Sequence, residues 1–259
     1  LIEFLAHHFQ AIWPFIAVGF VAQLVDGALG MAFGVITSTL LVSVMGMPPA
    51  RASSIVHVVE VFTTAASAIS HTLHKNVNWR LFGLLVIPGM IGGISGAYLL
   101  SNIHAETSRP FVMTYLACIG IYLLWRGWRM SKEQTHRKAR FAAPLGLVGG
   151  FLDAVGGGGW GPVVTSNLLV QGSEPRITIG TVNTAEFFLT VVISATFIAT
   201  LGWEAFTLAT IGLILGGLMA APFGAVLAKR IPAKQLMCLV GAVLTLTSLY
   251  SLARALKLV

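Results

Sequence analysis

The chain has 259 residues, 56% of them hydrophobic and only 10% charged, and its mean hydropathy is +0.85. That balance excludes a soluble globular domain and a disordered chain, because the solvent of so much apolar surface must be lipid. The formal net charge of +7 does not point to nucleic acid, since the basic residues sit in short loops between apolar runs, the pattern of a topology signal.

In chain order, the first ten residues, LIEFLAHHFQ, carry no basic leader and no small-residue cleavage site, so no signal peptide is expected. Residues 1–14 read as a lead-in. The apolar stretch 11–25 is only fifteen residues long and then meets Asp26 and glycines. About 20 apolar residues span a bilayer at 1.5 Å rise each, and 53–73, 81–100, 110–128, 179–202, 207–228 and 236–256 reach that length. Without water partners for the backbone, such runs must be helices or strands of a closed barrel. The lack of ten-residue alternation selects helices. Arg129, Lys132, Arg137, Lys138 and Arg140 crowd the long polar loop 129–144, with Arg126 just before it, which places it in the cytoplasm. Beyond it comes Asp153 and four consecutive glycines, Gly156 to Gly159. Such a run cannot hold a helix, because each glycine costs about 1 kcal/mol relative to alanine. Cys118 and Cys238 lie inside apolar runs and read as packed thiols, not a disulfide or a metal site.

The chain repeats itself. An offset of 127 residues lays GFVAQLVDGALGMAFG on GLVGGFLDAVGGGGWG, so that Gly19, Asp26, Gly30 and Gly34 recur as Gly146, Asp153, Gly157 and Gly161. With one residue deleted, Val44, Gly46, Pro49, Glu60 and Thr64 recur as Val170, Gly172, Pro175, Glu186 and Thr190. The expected fold is an all-α integral membrane protein with repeats at 15–128 and 145–259. Each repeat is a broken glycine-rich helical hairpin plus three transmembrane helices. Non-helical backbone at membrane depth is tolerated only where protein buries it or it lines a cavity. If each broken segment returns to its starting side, twelve basic residues fall in the cytoplasm and four outside, and the two repeats are inverted. If each crosses, the split is ten to six. Inverted repeats are therefore expected.

Of nine carboxylates, Asp26, Glu60, Asp153 and Glu186 lie within the apolar repeat units, where a charge costs at least about 2.5–3.5 kcal/mol. Asp26 and Asp153 sit at the breaks. Both a helix cap and a direct role in binding or proton transfer fit them. Bare amides at half-helix ends could hold an anion, which makes Gly30, Gly34, Gly157, Gly158 and Gly159 candidates. Close helix packing explains Gly89, Gly93, Gly212 and Gly216 at GxxxG spacing. His57, Glu60 and Thr64 share one helix face, and Asn183, Glu186 and Thr190 repeat that face. They read as a binding stripe or as interhelical glue. Trp160 could pack against a substrate or fill space beside the glycines. His71, His74, His104 and His136 read as interfacial.

Two copies of an Asp-centred, glycine-rich broken helix, DGALGMAFG and DAVGGGGWG, each followed by a Gly/Pro turn in VMGMPP and VQGSEP, resemble the sulfite exporter TauE/SafE family over nearly the whole chain. The resemblance implies a multi-pass permease of the bacterial cytoplasmic (inner) membrane that moves sulfite or small organosulfur anions. Repeat one has Met31 and Ala32 where repeat two has Gly158 and Gly159, and Ala154 stands where a glycine like Gly27 is expected, so the halves need not contribute equally. The expected function is a secondary transporter binding a small anion near the midplane, with His57 and Asn183 as donors. Ionised Glu60 and Glu186 would repel an anion, which makes them candidate proton carriers. Export needs no coupling, since a monovalent anion leaving a negative interior gains about 2.3 kcal/mol per 100 mV. The rivals are a passive anion channel and a cation or metal carrier using Asp26, His57 and Glu60. No nucleophile elbow, HExxH or paired-aspartate motif suggests an enzyme, and no cofactor, resident metal or nucleic-acid partner is expected.

Overall fold

A computed structural model describes residues 2–29, 31–129, 141–171, 173–203, 208–230 and 233–256. Much of the basic loop, and Gly30, therefore lie outside the described residues. Among the described residues the chain forms ten helices and no strand. In the first half these are α1 (Ile2–Leu29), α2 (Phe33–Thr39, continued by a π-helical turn Leu40–Val44), α3 (Pro49–Leu73), α4 (Trp79–Asn102) and α5 (Ala105–Arg129). The second half holds α6 (Ala142–Gly156), α7 (a π-helical turn Gly161–Thr165 followed by Ser166–Val170), α8 (Pro175–Leu201), α9 (Leu208–Arg230) and α10 (Ala233–Ala255). The protein is thus an all-α, multi-pass membrane protein.

Helices α3, α4, α5, α8 and α10 are long and apolar enough to cross a bilayer, and α9 adds a shorter apolar stretch, Leu208–Ala220. Local signals set their ends. Pro49 and Pro175 occupy the first helical turn of α3 and α8, where a missing N–H costs nothing. The Asn78 side chain caps α4 by accepting from the Leu81 amide at 3.1 Å. The helix α6 stops at Gly157, whose φ of +65° is left-handed, and Gly158 follows at +142°.

One local expectation needs revision. The sequence put Asp26 at the first break, but α1 runs unbroken through residue 14 and past Asp26 to Leu29. The interruption falls between Leu29 and Phe33, and Asp26 lies about one turn before it. Glycine at 27 weakens a helix without ending it, and the chain leaves the helix only where the carboxylate can reach forward across the gap.

The halves interlock. Along α1 runs α9, and along α4 runs α6, both in parallel. The pairs α3–α8 and α5–α10 are antiparallel. Glycines allow the backbones to meet: a methyl on Gly150 would lie 2.2 Å from Gly89 O, one on Gly92 2.0 Å from Leu147 O, and one on Gly216 2.0 Å from Ile16 O. Small residues at such seams replace the hydrophobic drive that lipid removes. Cys238 packs in the α5–α10 seam beside Gly127, whereas Cys118 is exposed; both are free thiols. Arg109 at the start of α5 donates to Gly46 O at 2.7 Å and Met47 O at 3.1 Å, fixing the α2–α3 turn to that end of the bundle.

Candidate functional site

The two interruptions are built alike. Asp26 Oδ1 accepts the Ala32 amide at 2.6 Å and the Phe33 amide at 3.1 Å, which are the first free donors of α2. Asp153 Oδ1 accepts the Trp160 amide at 2.8 Å, at the entrance to α7. Each carboxylate reaches six or seven residues forward to do the work of an N-cap. The amides of Ala32, Phe33 and Trp160 are therefore engaged by the chain's own carboxylates, and of the glycine amides that the sequence offered to an anion, those of Gly157 and Gly158 donate to Asp153 O.

The second break is also tied to the first half. Ser38 Oγ donates to Gly157 O, and Ser53 Oγ donates to Ala154 O at 2.6 Å. His57 is fully buried, with Nδ1 2.8 Å from Ser53 O and Nε2 3.2 Å from Asp153 Oδ2. A carbonyl only accepts, so Nδ1 carries a proton and donates. Nε2 then faces the Asp153 carboxyl. The glycine run packs as tightly as the helix seams. A methyl on Gly158 would lie 2.3 Å from Gly34 C, and one on Gly159 1.9 Å from the Tyr115 hydroxyl, which itself donates to Gly158 O at 3.3 Å.

Between the breaks, where α3 and α8 cross, lies a cavity of about 400 Å³. Eight of the candidates from sequence line it: Asp26, Gly34, Glu60, Asp153, Gly158, Gly159, Asn183 and Glu186. His57, Gly157 and Trp160 stand behind its wall. Trp160 is fully buried, its ring fills the space beside Gly89 and Gly149, and its indole N–H donates to Val182 O at 3.2 Å. Gly30 falls outside the described residues. The two stripes do meet: the Thr64 and Thr190 hydroxyls are 3.4 Å apart, and Asn183 Nδ2 donates to Ser67 Oγ at 3.0 Å.

The cavity also takes in Gln23, Met31, Thr63, Ser67 and His71, none of which the sequence reading assigned to the site. For Thr63, Ser67 and His71 a signal existed, because they extend the Glu60 face of α3 by further turns of i+3 and i+4 spacing. His71, read as interfacial, closes one end. Gln23 and Met31 carry no such signal: the packing of α1 beside α9 brings in Gln23, and contacts with Gly161 and Ser166 of α7 place Met31. The charge balance is one-sided. Four carboxylates line the space, and among the described lining residues there is no lysine or arginine. Glu60 is 5% exposed, and its Oε2 is buried with no hydrogen-bond partner.

Comparison with known proteins adds two findings. Residues 15–251 match the sequence profile of the sulfite exporter TauE/SafE family. The chain is also 42% identical over 241 residues to the probable membrane transporter protein YtnM of Bacillus subtilis (strain 168), a match covering 90% of this chain and 80% of that protein. No solved structure matches.

If Asp26 acts as a cap, Asp26→Asn should melt close to wild type in detergent, because the amide oxygen still accepts, while Asp26→Ala should lose about 1 kcal/mol. Asp153→Ala should lose more, since His57 Nε2 is left facing nothing. Wild-type melting of both alanine variants would show that the carboxylates do not hold the breaks.

Proposed function

The chain belongs to the sulfite exporter TauE/SafE family of membrane transporters, and we propose on that premise that it is a secondary transporter carrying sulfite or a small organosulfur anion across the bacterial cytoplasmic membrane. The observation that carries the reading is the cavity between the two helix breaks. It is walled by both halves of the chain, large enough for a small solute and lined by polar groups at a depth where polar groups are costly.

The halves act as inverted repeats. Helices α3 and α8 occupy equivalent places in the sequence repeat, run antiparallel and cross at Thr64 and Thr190, which are equivalent residues. A pair crossing in that way is related by a two-fold axis perpendicular to the helices, in the plane of the membrane. The α5–α10 pair obeys the same axis. The short helices α2 and α7 then return to the sides from which α1 and α6 entered. Rocking of one half against the other would expose the cavity alternately to each side.

Within the cavity the anion lies against the neutral donors of Asn183, Ser67 and His71, with Gly34, Gly158 and Gly159 leaving room for it. Asp26 and Asp153 hold the breaks open. Glu60 and Glu186 carry no described counter-charge, so an anion enters only when positive charge accompanies it, and protons on these carboxylates supply that charge.

Cysteines placed at Gly46 and at Lys75 should label from opposite faces of the membrane, with Lys75 cytoplasmic; labelling from one face would contradict the topology. In proteoliposomes, flux of labelled sulfite or an alkyl sulfonate should respond to an imposed pH gradient, and Glu60→Gln and Glu186→Gln should reduce that response severalfold. An unchanged response would remove the proton role. Absence of flux for every sulfur anion tried would remove the substrate reading itself.

A further inference from the structure

The cavity extends to one side of the breaks only. On α3 its lining begins at Glu60 and continues through Thr63 and Ser67 to His71, close to the exposed Lys75 that follows the helix. On α8 it begins at Glu186 and runs back through Asn183 to Ile179. Because the two helices are antiparallel, both rows head for the same end of the bundle. From Glu60 to His71 the path is about 16 Å at 1.5 Å per residue, half of a hydrocarbon core of about 30 Å. Among the described residues, none of α3 before Glu60 and none of α8 after Glu186 lines the space.

The internal repeat makes that one-sidedness informative. Its second copy has Leu189, Ile193 and Phe197 where the first has Thr63, Ser67 and His71. The second set is fully buried, whereas the first lines open space. Helix α4 seals two of the three: a methyl on its Gly93 would lie 2.8 Å from Ile193 Cγ1 and 2.9 Å from Leu189 Cδ1. Phe197 is clamped on His57, with ring centroids 6.2 Å apart. The contacts to the breaks differ in the same sense. His57 and Ser53 hold the second break, at Asp153 Oδ2 and Ala154 O. Their counterparts Asn183 and Ile179 line the cavity, and among the described residues no hydrogen bond joins Asn183 to Asp26. One end of the α3–α8 crossing is therefore latched and the equivalent end is not. Packed seams of this kind switch between discrete arrangements and do not deform continuously.

From this broken symmetry we infer that the structure is open toward the Lys75 end alone, and that Phe197, seated on His57, is the gate that closes the Gly46 end. The inference rests on the transporter reading, because a solute bound at the crossing needs a second exit, and that exit runs along the Leu189, Ile193 and Phe197 row. An apolar plug of this kind bars a charged solute by denying it hydration. His57 ties the gate to the break: the ring that carries Phe197 is the ring that faces Asp153, so the gate opens together with a shift of the second break. With Lys75 in the cytoplasm, the open side is the cytoplasmic one.

The test uses the equivalent substitutions Ser67→Cys and Ile193→Cys, each in a full chain carrying Cys118→Ser and Cys238→Ser. In sealed membrane vesicles, a charged, membrane-impermeant methanethiosulfonate is applied from one face at a time. Ser67→Cys should react from the Lys75 face alone, and Ile193→Cys more slowly and from the Gly46 face alone. Adding Phe197→Ala should speed the Ile193→Cys reaction from the Gly46 face about tenfold or more, by raising the population with the gate open. Phe197→Leu, which keeps an apolar plug, should leave that reaction slow. Melting curves identify the folded variants, and the comparison of the two cysteines needs no Phe197 variant. Equal rates at the two cysteines, or an Ile193→Cys rate that folded Phe197→Ala does not raise, would overturn the gate. Transport would still stand, because flux of labelled sulfite in the same vesicles is read separately. Reaction of Ser67→Cys from both faces would overturn the gate and the transporter reading together and mark a channel.

Discussion

Every backbone amide and carbonyl that leaves a helix inside the hydrocarbon must find a partner within the protein, and this chain leaves a helix there twice. Asp26 and Asp153 meet that constraint. By accepting the first free amides of α2 and α7, they let an apolar helix stop, turn and restart with its donors satisfied. The rest of the arrangement follows. A break needs protein on all sides, so α9 lies along α1 and α4 along α6. Those helices can come close enough only over glycine. The space that remains between two capped breaks, where α3 and α8 cross, is the cavity.

The two halves are not equal partners in it. His57 lies in the first half but serves the second, bridging Ser53 O and Asp153 Oδ2 from a fully buried position. Asn183 stands at the corresponding place in the second half and turns instead to Ser67. The tightly packed glycine run also belongs to the second half alone, pressed against Tyr115 and Gly34. One break is therefore cross-braced by α2, α3 and α5.

Hydropathy and the internal repeat make the fold class readable, because both are one-dimensional. Six apolar runs became α3, α4, α5, α8, α9 and α10, and the paired Asp/Gly segments became the two interruptions. Glu60, Glu186 and Asn183 were also readable as lining residues, since helical spacing puts them on common faces. What the sequence hides is register between helices. That His57 would find Asp153, 96 residues away, depends on how α3 sits against α6. Gln23 reaches the cavity through the way α1 packs beside α9. Trp160 points away from the cavity because Gly89 and Gly149 leave a slot for its ring. The glycine run looked like a bed of free amides, whereas its tight contacts with Gly34 and Tyr115 make its lack of side chains a packing requirement.

We propose that the transported solute binds at the crossing of α3 and α8, between the two carboxylate-capped breaks. It is tested most directly by an experimental structure determined with 3-bromopropanesulfonate, whose bromine and sulfur can be located by anomalous scattering. Both atoms should lie inside the cavity, with the sulfur beside Asn183 and Ser67 and the bromine toward Glu60. Bound sulfonate at any other place, with this cavity left to water, would contradict it.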